Sequence, residues 1–256
     1  MDTQYLELKN ISKDFGGLRA INHLSLNVGK GEVVCIIGPN GAGKTTLLNL
    51  ITGVLPISSG EIYFKGKRID RLPSYRICKL GINRSFQDVQ LFTHMSVIEN
   101  VMVGCHNRMR STFPEVMFSL RRVNKEHQEA FERAVEKLSL FNLDKRIYDM
   151  PSNLALKDRK FLGIARALAT EPELLLLDEP VGGLSVDEIK EISEKILKMQ
   201  EEGLTLLFIE HRMELVRSVS ERVIVLDFGQ KLAEGTFDEV HANEQVINAY
   251  LGKEEE

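Results

Sequence analysis

A single short segment constrains this 256-residue chain more than any other feature. Residues 38–45 read Gly-Pro-Asn-Gly-Ala-Gly-Lys-Thr, fit the pattern G-x-x-x-x-G-K-[ST], and follow the mostly apolar run 32–37. In such a loop the glycines let consecutive backbone N–H groups converge on phosphate oxygens, Lys44 adds a charge at the β- and γ-phosphates, and Thr45 can bind Mg²⁺. A plain strand-to-helix turn also needs a glycine, but it does not need the Gly-Lys-Thr that ends this segment. The sequence therefore predicts a buried strand, a phosphate-binding loop and a helix.

The composition excludes several classes of protein. Hydrophobic residues make up 43% of the chain, enough for a sizeable core in one elaborated domain. The net charge of −4 gives no basic face for nucleic acid, so we expect no nucleic-acid partner. No apolar stretch reaches the roughly 20 residues of a membrane span, and the polar start is unlike a signal peptide, which predicts a soluble cytoplasmic chain. Cys35, Cys78 and Cys105 lie far apart, so neither a disulfide framework nor a zinc site is indicated.

Hydrophobic patterns predict an α/β fold. Apolar runs at 174–177, 204–209 and 223–226 favour strands of a parallel sheet covered on both faces. Short alternating strands near 5–8 and 61–64 predict an antiparallel layer around the phosphate loop. Residues 96–168 are mostly helical in pattern. The apolar positions of two predicted helices are Phe131, Val135 and Leu138, and then Ile189, Ile192, Ile196 and Met199.

Polar residues follow two of the predicted strands. The Leu-rich strand ends in Asp178-Glu179, where one carboxylate can hold the water shell of Mg²⁺ and the next can polarise a water for attack on the γ-phosphate. An acidic pair at a strand end is common by itself, but P-loop ATPases need such an acid beside the nucleotide. His211 follows the strand 204–209. Taken alone, a histidine in that position is more often a polar cap than a catalytic group.

The ordered set of motifs resembles the ATP-binding subunit of an ATP-binding cassette (ABC) transporter across essentially the whole chain. The resemblance implies a P-loop NTPase (RecA-like) core with an antiparallel β layer, one domain over 1–256, and a helical subdomain inserted at about 91–170. It implies ATP and Mg²⁺ as cofactors, Glu179 as the catalytic glutamate, His211 as the switch histidine at the γ-phosphate, and Gln87 as the Q-loop glutamine. The implied nucleotide contacts are Phe15 (stacking on adenine), Gly38, Pro39, Asn40, Gly41, Ala42, Gly43, Lys44, Thr45, Thr46 and Asp178, with Thr45, Gln87 and Asp178 at Mg²⁺.

Within that family, several segments are similar to branched-chain amino acid importers of the LivG type. These segments are 83–87, the insert after 104, 164–168, 209–211 and 249–252. Urea importer and lipopolysaccharide-export ATPases share much of this pattern. The resemblance implies transmembrane permease partners and a peripheral position on the cytoplasmic face of the plasma membrane. A regulatory or structural nucleotide-binding module with little hydrolysis is the alternative function.

One motif departs from the family pattern. The signature, usually close to Leu-Ser-Gly-Gly-Gln or Leu-Ser-Tyr-Gly-Gln, stands here as Leu154-Ala155-Leu156-Lys157-Asp158. In these ATPases the signature heads a helix and presents its serine hydroxyl and glycine N–H groups to the γ-phosphate on the opposite subunit. Ala155 cannot donate that bond, Lys157 adds a side chain where the backbone must approach, and Asp158 adds a negative charge that the lysine could partly offset. Each lost donor, if it acts like an oxyanion-hole donor, costs roughly 2.7–4 kcal/mol.

The geometry of such dimers decides which site this signature would impair. The chain's own phosphate loop would be completed by the partner's signature, whereas its own signature would face the partner's ATP. A homodimer would then lack both working sites, whereas a heterodimer could keep one. We therefore expect a heterodimer with a partner whose signature is intact. The D-loop is altered as well, reading Gly-Gly-Leu-Ser at 182–185 where Ser-Ala-Leu-Asp is usual.

Asp227-Phe228-Gly229 has the same sequence as a magnesium-binding motif of protein kinases. No H-R-D-like loop precedes it, and a hairpin turn is the favoured interpretation.

Overall fold

The computed structural model describes residues 5–85, 90–105 and 120–251, the last range with backbone alone at 120–123 and 251. Its strands are β1 (Leu6–Phe15), β2 (Leu18–Val28), β3 (Val33–Ile37), β4 (Ser59–Phe64), β5 (Lys67–Arg68), β6 (Ile82–Ser85), β7 (Leu174–Asp178), β8 (Thr205–Ile209), β9 (Arg222–Asp227) and β10 (Gln230–Gly235). Its α-helices are α1 (Lys44–Ile51), α2 (Ser74–Lys79), α3 (Val97–Cys105), α4 (Leu120–Ser139), α5 (Leu156–Leu168), α6 (Val186–Glu201), α7 (Met213–Val219), α8 (Phe237–His241) and α9 (Glu244–Leu251).

Backbone contacts divide the chain into two compact units. The first combines Met1–Arg84 with Glu173–Glu256, and the second is Ser85–Pro172. The range 91–170 assigned to a helical subdomain lies within the second unit. Inside the described ranges, no helix is both long and apolar enough to cross a membrane.

The larger sheet has the strand order β10-β9-β3-β8-β7-β6. Strand β3 pairs in parallel with β8 and β9, and β7 pairs in parallel with β8. Every residue of β3, β7 and β8 is buried, which explains why these strands read as continuous apolar runs. Helix α6 buries Ile189, Ile192, Ile196 and Met199, as the helical spacing predicts.

The smaller sheet is antiparallel, in the order β2-β1-β4-β5. Its inward side chains, such as Leu8 and Ile62, join Ile36 of β3 and Leu47 of α1 in one buried core. The predicted antiparallel layer therefore exists, with β2 as a long strand that the sequence patterns did not indicate. Strand β2 shifts register against β1 at several points, so its side chains do not alternate regularly.

In the second unit, the buried stripe of α4 matches the predicted one only in part. Leu138 is fully buried as predicted, whereas Phe131 and Val135 are only partly buried and the fully buried positions before Leu138 are Ala130 and Ala134. The predicted spacing identified the helix but missed these two positions, because small alanines carry little weight in a hydrophobic pattern.

Candidate functional site

The phosphate loop follows β3 and runs directly into α1. Gly41 and Gly43 have φ of +80° and +98°, in the left-handed region that favours glycine. A Cβ on Gly43 would stand 2.6 Å from the carbonyl oxygen of Ala20, so this position also lacks room for a side chain. Helix α1 begins at Lys44 with Gly43 as its N-cap. The loop is thus shaped to expose N–H groups at the positive end of a helix.

Lys44 is folded back over its own loop. Its Nζ donates to the carbonyl oxygens of Gly38 and Pro39, at 2.7 and 3.0 Å. Thr45 is exposed and Thr46 is partly buried in the first turn of α1, while Asn40 and Gly41 lie exposed at the tip of the loop. The ammonium group and the helix N-terminus therefore place positive potential on the same side of the loop.

A hairpin turn is hydrogen-bonded to the phosphate loop. Strands β9 and β10 pair with Asp227 opposite Gln230, so Phe228 and Gly229 form a two-residue turn with φ of +44° and +74°. The N–H of Gly229 donates to the carbonyl oxygen of Ala42 at 3.0 Å. The hairpin interpretation of the kinase-like tripeptide is confirmed.

The carboxylate of Asp178 at the end of β7 is held by an arginine to which no sequence motif assigned a role. Arg84 of β6 donates through one guanidinium nitrogen to Asp178 Oδ2 and through another to Asn49 Oδ1 of α1, the latter at 2.6 Å. The side chains of Arg84 and Asp178 are only 5% and 2% exposed. Asp178 Oδ1 is buried with no hydrogen-bond partner among the described residues. The signal available in the sequence was a charged residue inside a short buried strand, which requires a partner of opposite charge.

Glu179 and His211 meet at the ends of adjacent strands. Glu179 Oε1 lies 3.8 Å from His211 Nδ1, and the imidazole is 57% exposed. Glu179 itself has φ of +47°, an uncommon conformation for glutamate, and its N–H donates to the carbonyl oxygen of Ile209 at 3.0 Å. Backbone strain at a residue with a chemical role is a feature of many functional sites.

Glu210, between β8 and the histidine, fixes the backbone of this corner. Its buried carboxylate accepts N–H bonds from Val181, His211 and Arg212 at 2.9, 3.0 and 3.3 Å. Burial raises the pKa of Glu210, and the three N–H bonds oppose that rise. The corner that carries His211 is thereby hydrogen-bonded to the segment that follows Glu179.

Phe15 and Gln87 are the remaining predicted nucleotide contacts. Phe15 ends β1 with its side chain 43% exposed, and Lys13 Nζ lies 5.0 Å from the ring centroid. A flat aromatic face at the surface is available for stacking. Gln87, predicted as a Mg²⁺ and catalytic contact, lies outside the described residues.

The segment 154–158, predicted to be an altered signature, leads into helix α5 of the second unit, with Leu154 buried and Leu156 exposed. Ala155 is the N-cap and its side chain makes no capping hydrogen bond. Lys157 Nζ lies 5.6 Å from the ring centroid of Phe161. Asp158 pairs with Arg146 at 2.9 Å, so its negative charge is offset by an arginine that the sequence had not indicated.

The donor chemistry fits Mg²⁺ carried by a nucleotide. The hydroxyl of Thr45 and the free oxygen of Asp178 are hard oxygen ligands, the type that Mg²⁺ prefers. Among the described residues, no group of three or more His, Cys, Asp or Glu side chains could hold a metal ion alone.

Comparisons with known proteins agree with this geometry. A family model described as ABC transporter matches residues 21–182, and one described as branched-chain amino acid ATP-binding cassette transporter matches 230–256. The high-affinity branched-chain amino acid transport ATP-binding protein LivG of Salmonella typhimurium is 39% identical over 99% of this chain and 100% of its own.

Solved structures show the same fold. A nucleotide-free ATP-binding cassette from an ABC transporter superposes with a TM-score of 0.86 at 32% identity, covering 98% of this chain and 100% of that one. A dimeric post-hydrolysis cassette bound to ADP and Pi gives a TM-score of 0.78 at 28% identity, covering 91% and 98%. The predicted P-loop NTPase fold class is confirmed. Since the family model covers more than half of the chain and the likeness to LivG covers nearly all of it, this chain belongs to the ABC transporter family as an ATP-binding subunit.

Proposed function

We propose that this subunit binds and hydrolyses Mg-ATP to drive the import of branched-chain amino acids through membrane partners. The observation that carries the proposal is the convergence of three motifs at one sheet edge. The phosphate loop follows β3, Glu179 follows β7 and His211 follows β8, and these strands are neighbours in the sheet. In open α/β sheets, ligands bind beyond the carboxyl ends of such strands.

Each residue then has a defined task. Phe15 stacks on adenine, and the backbone N–H groups of residues 40–46 together with Lys44 hold the phosphates. Glu179 accepts the proton of the attacking water, and His211 contacts the γ-phosphate. When bound, Mg²⁺ would neutralise phosphate charge, with Thr45, Gln87 and Asp178 around it.

The substrate class is proposed from the relatives. LivG carries branched-chain amino acid transport in its name, and the segment 230–256 matches a model of the same description. We place the subunit peripherally on the cytoplasmic face of the plasma membrane, against transmembrane permeases. The second unit, containing the range 91–170, acts as the helical subdomain of the cassette.

We also propose that the nucleotide sites are asymmetric. Ala155 supplies no hydroxyl at the start of α5, so the site that this signature completes lacks a donor to the γ-phosphate. Arg146 removes part of the electrostatic penalty of Asp158 but supplies no such bond in its place. A heterodimer with an intact-signature subunit keeps one working site.

Transport in a strain that lacks this subunit tests the proposal. Uptake of labelled leucine, isoleucine and valine should fall, and the unaltered gene should restore it. The Glu179→Gln variant should bind ATP but lower hydrolysis roughly 10²-fold or more, and so fail to restore uptake. Glu194→Gln, an exposed carboxylate of α6, is the matched control. Normal amino acid uptake in the deletion strain, with a defect in urea uptake or lipopolysaccharide export instead, would contradict the proposed substrate.

A further inference from the structure

The ion pair between Arg84 and Asp178 joins three elements of the nucleotide site. Arg84 lies on β6, Asp178 ends β7, and Asn49 lies on α1, five residues after Lys44. The guanidinium is therefore fixed from both sides, by the carboxylate and by the amide oxygen. Both charged side chains are almost completely buried.

Stability alone is a weak reason for this arrangement. Well-packed apolar residues of similar volume are often as stable as a buried ion pair, whereas removal of one partner leaves an uncompensated charge. Of the two carboxylate oxygens of Asp178, only Oδ2 accepts a hydrogen bond from a described residue. Its Oδ1 is buried and without a hydrogen-bond partner among the described residues, and an acceptor of this kind is commonly completed by a bound ion or water molecule or kept for a catalytic role.

We propose that Arg84 is a positioning residue for the divalent cation of the bound nucleotide. By holding Oδ2 of Asp178 and being held by Asn49, it fixes the carboxylate rotamer and keeps Oδ1 for the metal shell. This inference rests on the proposed function, because it assumes that Mg-ATP occupies the site. The guanidinium fork suits the task, since its donors are rigid and planar and can bridge two acceptors at once.

Manganese, a paramagnetic substitute for Mg²⁺, gives a readout independent of activity. Electron paramagnetic resonance can measure Mn²⁺ affinity for the ATP-loaded protein, and calorimetry in EDTA can measure ATP affinity without metal. For Arg84→Met we expect Mn²⁺ affinity to fall about 10–100-fold, the range seen when the outer-shell partner of a metal ligand is lost. ATP affinity in EDTA should change little, because Lys44 and the loop carry it.

Three further comparisons separate positioning from simple destabilisation. Arg84→Lys keeps the charge but cannot bridge both acceptors, so it should restore only part of the Mn²⁺ affinity. Arg222→Met removes another partly buried arginine of the same sheet, which pairs with Glu32 at 2.6 Å. It should lower the melting temperature and leave Mn²⁺ affinity unchanged. In Asp178→Asn, addition of Arg84→Met should cause no further loss, because the two residues act as one unit.

The outcomes are distinguishable. If the unaltered protein fails to bind Mn-ATP, the proposed function is wrong. If it binds, and folded Arg84→Met binds Mn²⁺ equally well or more tightly, only the positioning role is wrong. Should Arg84→Met fail to fold, Arg84→Lys and Asn49→Ala decide the matter, and unchanged Mn²⁺ affinity in both would overturn the role.

Discussion

Lys44 makes hydrogen bonds to its own loop before any phosphate arrives. Its Nζ donates to the Gly38 and Pro39 carbonyl oxygens. The approach of a phosphate therefore exchanges neutral acceptors for charged ones, which adds a Coulomb attraction that a bond from an ammonium group to a carbonyl oxygen lacks. The side chain contributes both to loop shape and to affinity.

We predict that Lys44→Ala strongly weakens Mg-ATP binding in a protein that remains folded. The variant removes the side-chain charge of the cradle and two hydrogen bonds that tie the loop together, so calorimetry should show at least a tenfold loss, about 1.4 kcal/mol. Lys67→Ala, at an exposed lysine of β5, should leave affinity unchanged. Equal ATP affinity in folded Lys44→Ala would rule out this loop as the phosphate site.

At the scale of elements, sequence patterns located the strands and helices whose buried residues form a continuous or regularly spaced apolar pattern. The strands β3, β7, β8 and β9 are continuous apolar runs, and the loop between β3 and α1 has a fixed spacing of glycines and lysine. Strand β2 and the inner face of α4 were missed, because register shifts and small alanines weaken a periodic signal.

Two ion pairs, one in each unit, could not be predicted from such patterns. Arg84 and Asp178 are 94 positions apart, and Arg146 and Asp158 are separated by a helix boundary. The partners of such ion pairs depend on which elements become neighbours in the fold. A single sequence therefore shows a charged residue but does not show which residue it pairs with.

The cluster of Tyr5, Lys65 and Glu173 makes a contribution to stability that depends on pH. Glu173, just before β7, accepts hydrogen bonds from Lys65 Nζ at 2.5 Å and from Tyr5 Oη at 2.6 Å. The hydrogen bond from Lys65, followed by that from Tyr5, lowers the pKa of Glu173. A lowered carboxyl pKa contributes stability above the unfolded-state value of about 4.3, and that contribution is lost as pH falls through the folded-state pKa.

We therefore predict that Lys65→Met is less stable than the unaltered protein at pH 7. The difference should begin to shrink as the pH falls below about 4.3 and should be lost below the lowered folded-state pKa of Glu173, where this carboxyl is protonated in both proteins. Denaturant unfolding across this range measures the difference. Lys67→Met, at a nearby exposed lysine, is the control. A stability difference that stays constant down to the acid limit would contradict the role of Glu173.

For the whole molecule, the chemical groups are distributed between two units. The phosphate loop, Glu179 and His211 belong to the first unit, and the altered signature belongs to the second. In a dimer whose subunits complete each other's sites, these two sets act in different sites. Under the proposed asymmetric arrangement, one chain combines a complete catalytic corner with a signature that lacks a donor.

We predict that the isolated protein binds ATP but hydrolyses it slowly, and that repair of the signature raises hydrolysis. The repaired chain carries Ala155→Ser, Leu156→Gly, Lys157→Gly and Asp158→Gln together, because contacts in one phosphate shell are not additive. Each recovered donor is expected to contribute roughly 2.7–4 kcal/mol to the transition state. Repair combined with Glu179→Gln should show no gain. Fast hydrolysis by the unaltered protein alone, or no gain in a repaired protein that dimerises with ATP, would favour a regulatory module.

The turn at Gly229 has a consequence for the thermodynamics of nucleotide binding. Its N–H is bonded to Ala42, and its carbonyl oxygen accepts from the N–H of Asn22 at 2.9 Å, so a hairpin and the antiparallel sheet jointly restrain the phosphate loop. A loop that is already ordered loses little conformational entropy when its ligand arrives. The free energy gained from phosphate contacts then appears as affinity and is not consumed in ordering the backbone.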